Sequence, residues 1–230
     1  MKNKLIFEFS KNKSDGDSSL DDLLGGKGAN LAEMSNMGIP VPPGFTITTE
    51  VCNYFTENKK LPNNLHNETK KAVNNLESIS DKRFGGAGTP LLLSVRSGGK
   101  VSMPGMMDSV LNIGLNDSNV SQLAKAFNDE RFALDSYRRL IQMYSNVVLG
   151  VEHERFEAVL ANKKRMDNID SDADFNVDQL NWIINAFKNT VERFTDSLFP
   201  QEPYEQLTGA IEAVFNSWQN KRAITYRKIC

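Results

Sequence analysis

Glycine is distributed unevenly along this chain, and its distribution separates two parts with different secondary structure. Only Gly150 and Gly209 of the 15 glycines lie beyond Asp117. Glycine is unfavourable inside helices and is common in turns and close backbone contacts. The sequence therefore predicts an α+β region up to about residue 116, followed by a mainly helical region.

The part beyond Asp117 carries apolar residues at the spacing of amphipathic helices. Three sets recur at i, i+3, i+4 and i+7, so each would present one apolar stripe to a core. The acidic stretch 167–174 and the stretch 198–204 are predicted to separate the helices. The three sets are Tyr137, Leu140, Ile141, Tyr144, Val147 and Val148; Leu180, Ile183, Ile184, Phe187, Val191, Phe194 and Leu198; and Tyr204, Leu207, Ile211, Val214 and Trp218.

In the first part, a glycine–lysine block, Gly25-Gly26-Lys27-Gly28, is predicted to open a helix. Gly38 is suited to end that helix, and the prolines at 40, 42 and 43 prevent its continuation. The apolar residues at helical spacing inside it are Leu31, Met34 and Met37.

The remaining elements of the first part follow from alternating or continuous apolar runs. The run 91–95 (LLLSV) predicts a buried strand, and a glycine-bearing loop, 96–108, joins it to the next strand. A polar loop is expected at 11–19. The other predicted elements are strands at 4–10, 45–49 and 109–114 and helices at 50–57 and 65–80.

Composition excludes several classes of protein. The 27 Lys and Arg residues nearly balance 29 Asp and Glu residues, and without a basic block the chain is not expected to bind nucleic acid. The sequence has no run of 18 or more apolar residues, so no membrane span is predicted. Cys52 and Cys230 are too few for a disulfide scaffold, and no signal peptide is recognised, so a cytoplasmic location is expected.

The glycine–lysine block has the features of an anion site. Backbone N–H groups at a helix N-terminus and the Lys27 ammonium would attract phosphate, and glycine allows close backbone approach. The spacing is not that of a Walker P-loop. A glycine turn with a solvated lysine is the alternative.

Arg96 follows the predicted buried strand 91–95. An arginine at a strand end can bind phosphate oxygens in a forked geometry, or it can pair with a carboxylate for structural reasons. Both interpretations stay open on the residues alone.

The loop 102–108 (SMPGMMD) contains three methionines that do not form a helical stripe. Methionine in a loop can close over a flat, polarizable ring such as adenine, and packing against the core is the alternative. No metal site is predicted, because His66 and His153 lack zinc spacing and the aspartates of 167–174 lack the pattern of a calcium loop.

Together these blocks resemble the N-terminal nucleotide-binding region of the pyruvate, phosphate dikinase family. The resemblance runs from Leu23 to Arg227 and is most specific in the second of four stretches, which contains the SMPGMMD loop. The stretches are LLGGKGANLAEMSNMGIPVPPGFTITT (23–49), GTPLLLSVRSGGKVSMPGMMDSVLNIGLND (88–117), RFALDSYRRLIQMYSNVVLGVEHERFE (131–157) and AVFNSWQNKRAITYR (213–227).

The resemblance implies the first half of an ATP-grasp domain with a mainly helical inserted subdomain. Its segments would be 1–116 (the α+β half), 117–200 (the helical subdomain) and 201–230 (a helix and a return segment). ATP would lie against this half, with Lys27 and Arg96 as catalytic contacts to its phosphates. The nucleotide-binding residues implied are Gly26, Lys27, Arg96, Met103, Gly105, Met106 and Asp108.

The family's reaction converts ATP, phosphate and pyruvate into AMP, diphosphate and phosphoenolpyruvate through a histidine on another domain. The sequence stops at Cys230, so the second ATP-grasp half, the phosphohistidine domain, the pyruvate barrel and the ligands of Mg²⁺ with ATP are expected outside it. This chain alone, as one part of a dikinase, is therefore expected to be inactive. Without the second half an apolar face would be uncovered, which would favour a homodimer.

Two other interpretations remain. The chain could be a truncated or decayed fragment that folds without catalysis and serves at most as a weak nucleotide-binding or interaction module. A different dikinase of the same superfamily is disfavoured, because related dikinases share the glycine–lysine block and the arginine but lack the SMPGMMD-like loop.

Overall fold

The computed structural model describes residues 4–98, 109–220 and 224–225 and has the predicted α+β character. None of the helices within these residues combines the length and the apolar character that crossing a membrane requires. The strands are β1 (Ile6–Ser10), β2 (Lys13–Ser14), β3 (Gly44–Ile47), β4 (Leu93–Arg96) and β5 (Ser109–Ile113). The helices are α1 (Asp21–Asn36), α2 (Thr49–Asn58), α3 (Leu65–Ser80), α4 (Val120–Phe127), α5 (Glu130–Val147), α6 (His153–Asp167), α7 (Val177–Thr195) and α8 (Pro203–Ser217), with short 3₁₀ turns at Ser18–Leu20 and Asp172–Asp174.

Contacts group the described residues into two compact units. Unit 1 draws its residues from Met1–Lys82, Arg96–Asp108 and Val214–Cys230. Unit 2 draws its residues from Arg83–Val95 and Ser109–Ala213. The segments 1–116, 117–200 and 201–230 of the sequence analysis stay a prediction.

Unit 1 contains an antiparallel sheet in the order β2-β1-β3. In its register Ile6 pairs with Ile47 and Phe9 pairs with Gly44. A Cβ atom at Gly44 would lie 2.6 Å from the Phe9 ring, so glycine allows the ring to cover this end of β3. The predicted strands 4–10 and 45–49 are confirmed with slightly shifted ends, and the predicted loop 11–19 contains β2 and the start of a 3₁₀ turn.

Helix α1 packs on this sheet through small residues. Ala29 and Ala32 are buried, whereas Met34 and Met37 are exposed. The helical spacing of Leu31, Met34 and Met37 therefore does not mark the packed face of α1, because alanines bring the helix closer to the strands than methionines would. Gly38 does end the helix, with φ of 78° and its N–H donated to the carbonyl of Ser35.

The strand predicted at 91–95 differs from the structure. Leu91 is buried but precedes the strand, and its N–H donates to the Arg83 carbonyl at 2.7 Å beside an isolated bridge between Arg83 and Pro90. The strand is Leu93–Arg96, and its residues alternate between half-buried and exposed. Among the described residues β4 pairs only with β5, so an apolar run here does not produce a strand that is covered on both faces.

Unit 2 is built around α5, which packs against α4, α6, α7 and β5. The predicted apolar sets supply much of its core, although Val214 and Trp218 of the third set belong to unit 1. Phe156, which is in none of the sets, also lies in the core, and its ring meets that of Phe187 edge to face with centroids 4.9 Å apart. The second set extends too far along the chain. Phe194, in the last turn of α7, is 45% exposed, and Leu198, beyond the end of α7 at Thr195, is 75% exposed.

Replacing Phe187 by alanine should destabilise unit 2 by about 3–5 kcal/mol, because it removes a fully buried ring and leaves a cavity. Phe194→Ala on the same helix is the matched control. The Phe194 ring is partly exposed and covered by the Arg155 guanidinium, so its loss should cost about 1 kcal/mol or less. Urea unfolding of both variants measures the difference, and equal losses would contradict this assignment of the core.

Candidate nucleotide-binding site

The glycine–lysine block lies at a kink inside α1. Gly25 has φ of 69° and ψ of 162°, so the helical turn 21–24 ends there and a second helical segment begins at Gly26. This backbone conformation is strongly unfavourable for any residue that has a side chain. The prediction that the block opens a helix is confirmed, although one helical turn precedes it.

The loop that follows β4 lies directly on this kink. A Cβ atom at Gly25 would be 1.5 Å from the carbonyl oxygen of Gly98 and 2.6 Å from its carbonyl carbon. No side chain can occupy that space. The two glycine-bearing stretches of the sequence therefore meet backbone to backbone inside unit 1.

Lys27 contacts the same loop through its side chain. Its Nζ donates a hydrogen bond to the carbonyl oxygen of Ser97 at 3.0 Å, across 70 residues of sequence. Ser97 is only 4% exposed, whereas Lys27 lies at the surface. Sequence reasoning missed Ser97, because a backbone carbonyl leaves no mark in the pattern of residue types.

Arg96 is the last residue of β4 and directly precedes Ser97. Consecutive Cα atoms are about 3.8 Å apart, so the Lys27–Ser97 bond places the backbone of Arg96 close to the Lys27 ammonium. Arg96 is exposed and has no ion-pair partner among the residues that the structure describes. The guanidinium is therefore accessible to an anion from solvent, and its role stays a prediction.

The two glycines that flank Lys27 differ in their surroundings. A Cβ atom at Gly28 would lie 2.8 Å from the Thr46 methyl group and 2.9 Å from its hydroxyl, so Gly28 permits close packing of α1 on β3. Gly26 begins the second helical segment and is half-buried. Of the two, only Gly26 stays a predicted contact to nucleotide.

Four predicted nucleotide contacts, Met103, Gly105, Met106 and Asp108, lie outside the described residues. Their role stays a prediction.

Both histidines are exposed, His66 on α3 and His153 on α6, where His153 Nε2 lies 3.3 Å from Glu157.

Gly25→Ala should destabilise unit 1 by more than about 3 kcal/mol, because it adds a collision with Gly98 to the strain of a positive φ. Gly150→Ala is the matched control, since Gly150 has φ of 72° but no atom within 4 Å of its Cβ position. It should cost about 1–2 kcal/mol. Denaturant unfolding distinguishes the two, and similar losses would show that the Gly98 contact is dispensable.

Comparison of the sequence with known proteins identifies the family of this chain. The model of the pyruvate phosphate dikinase AMP/ATP-binding domain matches residues 21–85 and 60–229. Proteins named pyruvate, phosphate dikinase are similar over nearly the whole chain. The one from Rickettsia conorii is 50% identical over 227 residues, which are 98% of this chain and 26% of that protein.

Proteins of the same name from two further organisms are also similar to this chain. The pyruvate, phosphate dikinase of Clostridium symbiosum is 45% identical over 98% of this chain and 26% of its own length. That of Entamoeba histolytica is 47% identical over 93% of this chain and 24% of its own length. The chain thus spans about a quarter of the length of these relatives. Its fold is the first half of an ATP-grasp domain with a mainly helical inserted subdomain, and the chain belongs to the pyruvate phosphate dikinase AMP/ATP-binding domain family.

Proposed function

We propose that this chain supplies part of the ATP site of a pyruvate, phosphate dikinase, in which Lys27 and Arg96 bind the ATP phosphates. The observation that carries the proposal is the bond from Lys27 to the carbonyl of Ser97, the residue next to Arg96. It joins the side chain of Lys27, which lies in the first turn of a helical segment, to the residue that follows the exposed Arg96. Membership of the nucleotide-binding family supports ATP as the anion.

The chemistry of phosphoryl transfer gives these two cations their role. Negative charge is spread over the oxygens of the transferring group, and catalysis depends mainly on positioning and electrostatic stabilisation. Arginine can hold two phosphate oxygens at once, whereas the lysine ammonium acts as a compact charge. In the proposed reaction the pyrophosphoryl group passes to a histidine on another domain, with phosphoenolpyruvate, AMP and diphosphate as eventual products.

Mg²⁺ would enter this site with ATP. Within the described residues, no group of three or more His, Cys, Asp or Glu side chains is placed to hold a metal ion. These residues therefore do not fit a resident metal, and we assign no metal ligand and no step through a metal to this part of the chain. The proposal also includes the partners of this chain, which are the second ATP-grasp half, the phosphohistidine domain, the pyruvate barrel and a second copy in a homodimer. It further includes a cytoplasmic location.

Arg96→Ala should weaken ATP binding about tenfold, the loss expected for one charge-assisted hydrogen bond to phosphate. Isothermal titration calorimetry with millimolar ATP, with and without Mg²⁺, measures the affinity, which should be weak and insensitive to the metal. Arg193→Ala is the matched control, because Arg193 is an exposed arginine of unit 2 and its removal changes net charge equally. It should leave the affinity unchanged.

Two results of this titration would contradict the proposed site. Absence of heat with ATP would mean that Lys27 and Arg96 do not form a binding site. If Arg193→Ala weakened ATP binding as much as Arg96→Ala does, ATP binding would depend only on the net charge of the chain. Binding without any catalysis in a longer protein that contains this chain would favour the alternative, a nucleotide-binding module.

The purified chain should form no phosphoenolpyruvate from ATP, phosphate and pyruvate. Neither His66, which follows Asn64-Leu65, nor His153, which follows Val151-Glu152, has the Thr-Ser-His setting expected of a phosphate-carrying histidine. Phosphorus NMR of the complete mixture, compared with mixtures lacking ATP or phosphate, tests this. Turnover that depends on both substrates would overturn it.

A further inference from the structure

Lys27 makes a contact that phosphate binding alone does not require. We propose that Lys27 is also a positioning residue, which holds residues 97–98 against the kink of α1 and thereby fixes the backbone that carries Arg96. This inference rests on the proposed function only in assigning Arg96 to phosphate. The anchoring itself is a property of the protein without nucleotide.

The hydrogen bond has the features of an anchor. A charged donor gives a stronger hydrogen bond than a neutral one, and the acceptor belongs to a residue that is 4% exposed. Among the described residues, Lys27 is the only side chain that donates to the backbone of residues 97–98. Its removal would leave the Ser97 carbonyl without that partner.

A second contact limits the loop from the other side. The Gly98 carbonyl oxygen already occupies the space of a Cβ atom at Gly25, so the loop cannot move closer to the helix. The positive end of the second helical segment also favours carbonyl oxygens at this point. The kink thus sets the closest approach, and Lys27 opposes movement away from it.

Anchoring and phosphate binding are compatible in one lysine. An ammonium has three N–H donors, and the Ser97 carbonyl uses one of them. The remaining donors are available to phosphate oxygens. Loss of Lys27 should therefore remove a direct contact and also release the segment that positions Arg96.

Hydrogen exchange of the nucleotide-free chain tests the anchor. Lys27→Met should raise the exchange rate of peptides covering residues 93–98 about tenfold, because local opening no longer breaks a charge-assisted bond. Lys27→Arg keeps a charged donor and should restore much of the protection. Lys11→Met removes another surface lysine of unit 1 and should change nothing.

Unchanged exchange at 93–98 in Lys27→Met would overturn the anchor. Peptides from α2 report global unfolding, and their exchange should stay as in the unsubstituted chain. If Lys27→Met does not fold, Lys27→Gln, which keeps a neutral donor, takes its place. Tryptic cleavage after Arg96 provides a second measurement and should accelerate in the same variants.

A double-mutant cycle tests the link to Arg96 with inorganic tripolyphosphate as the probe. Arg96→Ala should weaken binding about tenfold in the unsubstituted chain and less than threefold in the Lys27→Met background, where Arg96 is no longer held in place. Equal losses in both backgrounds would overturn the positioning role. If exchange rises in Lys27→Met but no phosphate compound binds, the anchor stands and the proposed function fails.

Discussion

The backbone contact between Gly25 and Gly98 is the constraint on which the rest of the candidate site depends. A side chain at position 25 would overlap the Gly98 carbonyl, and the combination of φ 69° and ψ 162° is one that essentially only glycine adopts. Because the helix restarts immediately after this residue, Lys27 stands within one turn of the kink. From there its side chain reaches Ser97, and the chain connection brings Arg96 to the same place.

The second helical segment gives this contact a rigid support. Ala29 and Ala32 are buried and Gly28 lies against Thr46, so the helix packs closely on β3 directly beyond the kink. Sites carried by packed helices and strands hold their geometry better than sites carried by loops alone. Met34 is exposed on α1, so the large apolar residues at helical spacing do not mark the face that packs here.

Sequence reasoning succeeds where local pattern determines structure. The bounds predicted for α3 agree with the structure and those for α2 agree within one residue, since apolar periodicity and flanking polar residues determine where these helices begin and end. It fails where a contact joins distant segments. Nothing local indicates that Leu91 lies outside the strand, that Phe194 is half exposed or that the Ser97 carbonyl accepts from Lys27.

The two cations proposed to bind phosphate, Lys27 and Arg96, would also define what kind of recognition this part of the candidate site provides. An ammonium and a guanidinium respond to the charge and geometry of phosphate oxygens and make no distinction among bases. If Lys27 and Arg96 were the only determinants, tripolyphosphate would bind at least as tightly as ATP, because it has one more ionisable oxygen than the esterified triphosphate of ATP. Any preference for ATP must come from groups that contact the adenine ring or the ribose. The difference in affinity between these two ligands therefore separates phosphate recognition from nucleotide recognition. Phosphate recognition is the part that we propose for unit 1.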